Sequence, residues 1–189
     1  MSETAVRTVA GIDLPAAGTW TIDPIHTTVG FSARHLMLAK VRGGFKAFQG
    51  TIHVEDDAEA SWVETTLDAA SIDTGNQMRD DHLRSADFLD VATFPTLSFR
   101  SSRLERTGDR TFTLTGDLTI RDVTRPVTLD VEYLGAARDP YGNDRVALTA
   151  TAEIDRDEFG ITYNQVLETG GVVVGKKISL DFDIQAVRS

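Results

Sequence analysis

Apolar and polar residues alternate along most of this chain with a period of two residues. The final segment shows the pattern most clearly, since Ile178, Leu180, Phe182, Ile184 and Ala186 alternate with polar residues. A period of two is typical of a β-strand with one buried and one solvent-facing side. Because every apolar face needs cover, a chain built of such strands must close into a barrel or pair two sheets.

The alternation predicts nine strands with turn sequences between them. In one of these strands the phase slips between Phe45 and Phe48, which indicates a bulge or a barrel corner. The predicted strands are Thr19–Asp23, Thr27–Arg34, Gly44–Glu55, Trp62–Ala70, Thr96–Leu104, Thr111–Ile120, Val127–Leu134, Arg145–Asp155 and Lys176–Val187. We therefore expect an all-β fold, a single closed antiparallel barrel of about eight strands that can hold one ligand. A filled β-sandwich is the competing architecture.

Two segments interrupt the β pattern. Residues 35–38 form a short apolar turn between strands, and residues 73–90 form a longer segment rich in charge. In the longer segment, Thr74 is followed three residues later by Gln77, which is the spacing of a helix capping box. We therefore expect one helix around residues 75–86, inserted between strands of the barrel.

The predicted helix contains the densest ionisable stretch of the chain, residues 79–84. Most charged helices are solvated and held by local ion pairs, and Asp80 and Arg84 have the four-residue spacing of such a pair. This helix, however, lies between strands, so one of its faces must approach the barrel. Arg79 and His82 on that face are predicted to hold the polar or anionic head group of a ligand at the mouth of an apolar cavity.

Catalysis and metal binding are the alternative uses of this chemistry. A hydrolase using Asp81 and His82 is disfavoured, because adjacent helical residues point about 100° apart and do not converge on one substrate atom. The histidines at positions 26, 35, 53 and 82 show no paired four-residue spacing, and the chain has no cysteine. We therefore predict no catalytic residue, no metal site and no cofactor.

Composition narrows the classes of partner. The 189 residues carry a formal net charge of −10, which opposes nucleic-acid binding and allows only transient contact with an anionic membrane. Residues 1–18 contain no apolar run like that of a secretory signal, and no stretch of the chain is apolar enough to span a bilayer as a helix. We expect a flexible extension over residues 1–18, one domain over residues 19–189, and a cytoplasmic location.

A series of motifs follows in a fixed order over residues 19–189. The motifs are Trp20–His26, Val29–Phe31, His35–Leu36, Gly44–Phe45, Phe48–Gly50, Ser71–Thr74, Arg79–Ser85, Asp87–Asp90, Phe94–Pro95, Phe99, Gly116–Ile120, Thr124–Val127 and Asp157–Ile161. In this order they resemble the YceI-like family of polyisoprenoid-binding proteins, whose fold is similar to a lipocalin barrel. The chain departs from the family at Asp122, where a glycine is usual, and in lacking the export signal of many relatives.

The resemblance implies an antiparallel barrel, often dimeric, with an elongated pore for a long isoprenoid or another amphiphile. We therefore expect non-catalytic binding, storage or transport of such a lipid, with an isoprenoid or quinone-like molecule as the ligand. Two alternatives stay open: a hydrolase or metal-dependent enzyme acting on a hydrophobic substrate, and a stress-linked interaction protein with a filled core.

The predicted site has a polar part and an apolar part. For the head group, His35 joins Arg79 and His82 as a candidate. The predicted lining of the lipid tail consists of Phe31, Phe45, Phe48, Leu83, Phe99, Leu118, Ile120 and Phe182. Small inward residues, namely Ala33, Gly116, Ala150 and Ala152, are expected to leave space for that tail.

Overall fold

The computed structural model describes residues 6–9, 11–168 and 171–189. Thirteen β-strands and one α-helix are formed by the described residues. The strands are β1 (Val6–Val9), β2 (Ile12–Pro15), β3 (Gly18–Ile22), β4 (Thr28–His35), β5 (Ala39–Phe45), β6 (Phe48–Val54), β7 (Trp62–Asp68), β8 (Ile72–Asp73), β9 (Thr96–Arg106), β10 (Thr111–Ile120), β11 (Val123–Arg138), β12 (Asp144–Asp155) and β13 (Val174–Arg188). The helix α1 covers Gln77–Arg84, and short 3₁₀ turns cover Ala58–Ala60, Ala69–Ser71 and Arg156–Phe159.

Eight strand positions close into an antiparallel barrel. Their order around the barrel is β12, β11, β10, β9, β7, β6, β3 and β13, and pairing between β12 and β13 closes the ring. Two of the eight positions are each occupied by two consecutive strands. At one position β3 and β4 both pair with β13. At the next position β6 pairs with β3 and β5 pairs with β4. The prediction of a closed barrel of about eight strands is confirmed, and the competing sandwich is wrong.

The phase slip in the predicted strand 44–55 marks a break between two strands. β5 ends at Phe45 and β6 begins at Phe48, so the prediction of one strand was wrong at this point. Two residues between the strands restore the phase and let both phenylalanines face the barrel interior. β5 also begins at Ala39, earlier than Gly44, where the predicted strand begins.

A second break in the barrel wall, between β3 and β4, lies beside the break between β5 and β6. Charged side chains stabilise it. The Asp23 carboxylate accepts hydrogen bonds from Arg145 at 2.6 Å and pairs with His26 at 2.7 Å. Arg145 also donates to Asp139 at 2.8 Å, in the turn between β11 and β12. The hydrogen bond from Arg145, followed by that from His26, holds the pKa of Asp23 well below its usual range. These contacts join the break in the wall to the neighbouring turn.

The helix α1 begins two residues later than the predicted capping box. Its N-cap is Asn76, whose side chain accepts a hydrogen bond from the backbone N–H of Arg79 at 3.0 Å. Thr74 lies outside the helix, and its own N–H and hydroxyl donate to Asp80 at 2.9 and 2.5 Å. The helix is present where the sequence predicts it, with a different residue as the cap.

Asp80 is buried and does not form the predicted surface pair with Arg84. The residue is 5% exposed, and its carboxylate accepts hydrogen bonds from the N–H and the hydroxyl of Thr74. Arg84 pairs instead with Asp81 at 3.1 Å and donates to the backbone carbonyl of Ile72 at 2.7 Å. The predicted ion pair was therefore wrong, and both residues fasten α1 to the strand before it.

The N-terminal segment forms a β-hairpin over its described residues, where the sequence predicts a flexible extension. β1 pairs with β2, and β2 packs against β11. Leu14 is only 2% exposed, and the fully buried Trp20 donates from its indole Nε1 to the carbonyl of Ala16 at 3.1 Å. Residues 1–5 and 10 lie outside the described part of the chain, and the domain boundary after residue 18 stays a prediction.

Buried hydrophobic side chains form three groups along the barrel. At the end near β1 and β2, here called the hairpin end, the group includes Leu14, Trp20, Val54, Phe112 and Tyr133. At the opposite end near α1, here called the helix end, it includes Ile72, Phe88, Leu97, Ile120 and Phe159. A small middle group consists of Leu114, Leu129 and Ala150. None of the helices in the described residues has the length and apolar character needed to cross a membrane.

Candidate functional site: an apolar cavity through the barrel

A cavity of about 370 Å³ lies inside the barrel. It extends from Leu14 and Val54 at the hairpin end to Leu83 and Leu97 at the helix end. Its size falls in the range of cavities that hold small molecules, roughly 300–1,000 Å³. The alternation of the strands produces this interior, because every second side chain of each strand points inward and nearly all of those are hydrophobic.

All eight residues predicted to line the lipid tail lie on the cavity wall. They are Phe31, Phe45, Phe48, Leu83, Phe99, Leu118, Ile120 and Phe182. They come from both ends and from the middle of the barrel, so together they border the full length of the cavity. Their contact with a ligand stays a prediction.

The small inward residues divide into two kinds. Ala33 and Ala150 lie on the cavity wall and leave room inside it, as expected. Gly116 and Ala152 do not border the cavity. A Cβ atom at Gly116 would lie only 2.5 Å from Cζ of Phe99, so that aromatic ring occupies the space beside the glycine. The glycine therefore permits an aromatic wall instead of adding to the cavity.

Arg79, predicted for the head group, lies at the helix end but does not border the cavity. Its Nε donates to the hydroxyl of Thr74 at 2.7 Å, and its Nη2 donates to the carbonyl of the same residue at 2.9 Å. These bonds hold the loop that leads into α1. The side chain is thus engaged in the local structure of the helix start.

The two histidines predicted for the head group also lie outside the cavity wall. His82 makes a 2.8 Å contact between its Nε2 and Asp87, and its ring packs edge-on against Phe88 and Tyr163. His35 is exposed at the end of β4. All three predicted head-group residues are thus near the helix end, and their role as ligand contacts stays a prediction.

Asp81 and His82, the pair considered for hydrolysis, contact different partners. Asp81 accepts hydrogen bonds from Gln77 at 2.8 Å and from Arg84 at 3.1 Å, whereas His82 contacts Asp87. Within the described residues, no group of three or more histidine, aspartate or glutamate side chains is arranged to hold a metal ion. The two side chains are therefore not arranged as an acid–base pair.

A buried arginine that the sequence analysis missed borders the cavity at the helix end. Arg156 is 5% exposed, and burial lowers the pKa of its guanidinium group. Its Nε donates to the carbonyl of Gly175 at 3.2 Å, and its Nη1 donates to the carbonyls of Ile161 and Tyr163, both at 2.8 Å. Its donors thus bind the backbone of β13, at Gly175, and of the segment that precedes this strand, at Ile161 and Tyr163. Nothing in the strand alternation distinguishes this arginine, which follows β12 directly.

Two further polar residues, Tyr133 and Arg7, border the cavity at the hairpin end, where the wall itself is apolar. Tyr133 is 4% exposed, its hydroxyl has no hydrogen-bond partner among the residues that the structure describes, and burial raises the pKa of the phenol above its usual value. Arg7 of β1 donates from Nη1 to the carbonyl of Asp56 at 2.7 Å and from Nη2 to the carbonyl of Glu55. The Nε of Arg7 is buried and has no hydrogen-bond partner within the described part of the chain. The alternation predicts an inward Tyr133, but it gives no sign that the hydroxyl is unpaired.

The fold and the site define a closed antiparallel β-barrel with an apolar interior. A family model described as the YceI-like domain matches residues 20–186, and the chain belongs to this YceI-like family. The match covers the whole barrel apart from its outermost residues and confirms the resemblance seen in the sequence. It begins after the β1–β2 hairpin, so Arg7 lies outside the matched region.

Known relatives agree with this assignment. A UPF0312 protein of Staphylococcus aureus strain USA300 is 34% identical over 164 residues, which cover 86% of this chain and 93% of that protein. The crystal structure of a Campylobacter jejuni YceI protein is similar with a TM-score of 0.69 at 28% identity, covering 82% of this chain and 90% of that one.

Two more distant structures share the fold. BcnA of Burkholderia cenocepacia has a TM-score of 0.76 at 23% identity, covering 87% of this chain and 98% of that one. A polyisoprenoid binding domain from Saccharophagus degradans, implicated in plant cell wall breakdown, has a TM-score of 0.64 at 13% identity, covering 90% and 98%. At these identities the similarity shows the common architecture.

Proposed function

We propose that this protein binds one long-chain amphiphilic lipid inside its barrel and stores or transports it without catalysing a reaction. The observation that carries the proposal is the apolar cavity extending from the hairpin end to the helix end. An isoprenoid-type tail fits such a wall of aliphatic and aromatic side chains. A structural neighbour named as a polyisoprenoid binding domain lends support from a barrel of the same fold.

The free energy of binding has to be judged against a bilayer. Burial of one methylene group from water contributes about 0.8 kcal/mol, so a long tail measured against water would exceed the affinities that proteins reach. A lipid that starts in a membrane already has an apolar environment, so its tail gains little by entering the barrel. Preference for the protein must therefore come from the head group and from the fit of the tail to the cavity.

The length of the barrel limits the tail that can lie extended in it. The wall residues of β10 run from Phe112 to Ile120, which corresponds to about 27 Å along the strand. With a strand tilt of about 40°, this is about 21 Å along the barrel axis. Carbon–carbon bonds near 1.5 Å advance an extended chain by about 1.25 Å each, so the barrel accommodates about 16 main-chain carbons, or about four isoprene units.

Filling the middle of the cavity tests the proposal directly. Ala150 borders the cavity, whereas the next residue, Thr151, points to the solvent. In Ala150→Phe, the ring should occupy the space for the tail, while Thr151→Phe provides a control with the same ring on the outer face. Native mass spectrometry and organic extraction of the purified proteins should find lipid in the wild type and in Thr151→Phe, and at least about tenfold less in Ala150→Phe.

Two results of that experiment would contradict the proposal. If the wild type neither carries lipid nor binds added four-isoprene alcohol, the cavity does not serve a lipid. If Ala150→Phe folds and binds lipid as well as the wild type, the tail lies elsewhere. Conversion of the bound lipid during incubation would instead favour the enzyme alternative.

We also propose a transient membrane contact through the turn between β4 and β5. Leu36, Met37 and Leu38 are all exposed there, with Leu38 81% exposed. Leu36 and Met37 have positive φ angles of 52° and 58°, a conformation that costs such residues free energy. Basic residues flank the turn, Arg34 before it and Lys40 after it. An apolar tip with basic flanks suits an anionic lipid surface, even on a chain with a net charge of −10.

A homodimer belongs to the proposal as well, on the strength of the family resemblance. Light scattering of the purified protein across a range of concentrations measures the molecular mass in solution, which doubles when the dimer forms. A constant mass near the 20.6 kDa of the single chain would remove the dimer from the proposal and leave lipid binding intact.

A further inference from the structure

The β1–β2 hairpin borders the inside of a barrel to which it does not belong. Among the described residues, β1 and β2 pair with each other and form a two-stranded sheet separate from the barrel. Leu14 and Pro15 of β2 nevertheless border the cavity. Because the pairing of β12 with β13 closes the ring of strands, a segment outside the ring borders the interior by crossing one of its ends.

The contacts of the hairpin lie on opposite sides of that end. On one side, β2 packs against β11. On the other side, Arg7 of β1 donates to the backbone carbonyls of Glu55 and Asp56, which directly follow β6. β11 and β6 are four positions apart in the ring of eight, so they face each other across the barrel. The hairpin therefore spans the end of the barrel from one wall to the opposite wall.

Packing and hydrogen bonds hold the hairpin in this place. Leu14 is 2% exposed and belongs to the buried group at the hairpin end. The segment that leads from β2 into β3 is fastened twice, since Trp20 donates to the carbonyl of Ala16 at 3.1 Å and Arg188 donates to the carbonyl of Ala17 at 2.9 Å. The hairpin is thus a fixed part of the fold, and Leu14 fills the end of the interior.

Leu14 lies where the space for a tail ends. Its buried group includes Phe112, the residue from which the wall of β10 runs to Ile120. The capacity of about 16 main-chain carbons refers to that span. A tail that enters from the helix end therefore meets Leu14 once it has reached Phe112.

Resting on the proposed function, we propose that the hairpin plugs this end of the cavity and that Leu14 sets the length of tail that the barrel accepts. The cavity is then a tunnel closed at the hairpin end, and it selects its occupant by length. A tail that is too short leaves apolar space empty, and a tail that is too long exposes methylene groups to water. The hairpin precedes residue 20, where the match to the family model begins, so this limit comes from a segment outside the matched region.

A competition among straight-chain primary alcohols tests the proposal. The full-length protein is incubated with an equimolar mixture of alcohols from about 10 to about 22 carbons, and gas chromatography of the extracted alcohols identifies the preferred length. Leu14→Ala removes most of the side chain that fills the end, and Leu14→Phe enlarges it. Ile12→Ala is the matched control, because Ile12 of the same strand packs against the same buried group without bordering the cavity. Melting temperatures confirm that each variant is folded.

Leu14→Ala should raise the preferred length by about two carbons, because the leucine side chain extends two bonds beyond its Cβ and each bond advances a tail by about 1.25 Å. Leu14→Phe should lower the preferred length by about one or two carbons, and Ile12→Ala should leave it unchanged. A preferred length that does not move in a folded Leu14 variant, or that moves equally in Ile12→Ala, would overturn the plug and leave lipid binding intact. A wild type that binds none of the alcohols would instead overturn the proposed function, and this inference with it.

Discussion

Gly116 shows how a single position shapes the cavity wall. The Phe99 ring lies where a side chain at residue 116 would be, and a Cβ atom there would also be 2.5 Å from the backbone carbonyl of Arg100. The carbonyl belongs to the neighbouring strand and cannot move independently of the sheet. The glycine therefore permits both the position of the Phe99 ring and the close pairing of β9 with β10 at this point.

Gly116→Ala should lower the free energy of unfolding by about 1–3 kcal/mol, because the added methyl group overpacks the wall. Gly175→Ala is the matched control, since a Cβ atom there would meet nothing closer than 3.5 Å. Urea denaturation of both variants measures the difference. Equal free energies of unfolding in the two variants would contradict this prediction and show that the Phe99 ring moves aside without loss of stability.

At the residue scale, the sequence predicts inward positions well and hydrogen-bond partners poorly. The alternation places Phe99 and Phe182 on the wall because the direction of a side chain depends only on its own strand. The hydrogen-bond partners of Arg79 and Tyr133 depend on how the chain folds around each side chain. Thr74, five residues before it, accepts from the arginine, whereas the residues that the structure describes supply no acceptor for the phenol.

At the scale of elements, the residues of the turn between β4 and β5 suit the proposed membrane contact and are unfavourable for the stability of the fold. Two consecutive residues with positive φ angles normally favour asparagine and glycine, which adopt that conformation readily. Leucine and methionine in these positions are less favourable for the fold and place apolar side chains in solvent. A membrane surface is the environment in which those side chains become favourable.

The double variant Leu36→Asn, Met37→Gly should keep or raise the melting temperature and slow lipid transfer about tenfold, because apolar contact with the bilayer is lost. The assay is transfer of a fluorescent polyprenyl lipid between vesicles that contain anionic phospholipid. Tyr141→Ser, which removes an exposed aromatic residue from the turn between β11 and β12, is the control. Unchanged transfer by the double variant would contradict the membrane contact.

The elements that the sequence misplaced are short and lack a repeating pattern. β1 and β2 have four residues each, too few for alternation to show, and they are ordered by the packing of Leu14 in the core. The start of α1 is set by Asn76 because Thr74 is committed to Asp80. A tertiary contact decides the first case and local side-chain hydrogen bonds decide the second, whereas the long strands β10 and β12 are evident from their own residues.

At the scale of the whole molecule, the barrel length makes a prediction about tails. Affinity for polyprenyl alcohols should rise with each isoprene unit up to about four and then level off, because a longer tail must fold back or leave the barrel. Titration of alcohols with two to eight isoprene units, all presented in the same detergent, measures this dependence. Affinity that keeps rising to eight units would show that the cavity holds a folded chain.

The overall architecture is the part of the molecule that the sequence predicts best. An all-β fold follows from many apolar faces that need mutual cover, a property distributed over the whole chain, and the pairing of β12 with β13 decides for the barrel over the sandwich. The hairpin end of the cavity is bordered by residues of β1, β2 and β11, which are far apart in the sequence. Their proximity emerges only once the strands have been assembled.

The apolar turn after β4 and the β1–β2 hairpin lie at opposite ends of the barrel. With the turn resting on a bilayer, a lipid would enter the interior at the helix end, and the part that enters first would come to lie nearest the hairpin. The part that enters last would stay nearest the membrane and would be the first to emerge on delivery. The lipid would thus be loaded and unloaded at the same end of the barrel, in reverse order, without reorientation of the protein on the membrane.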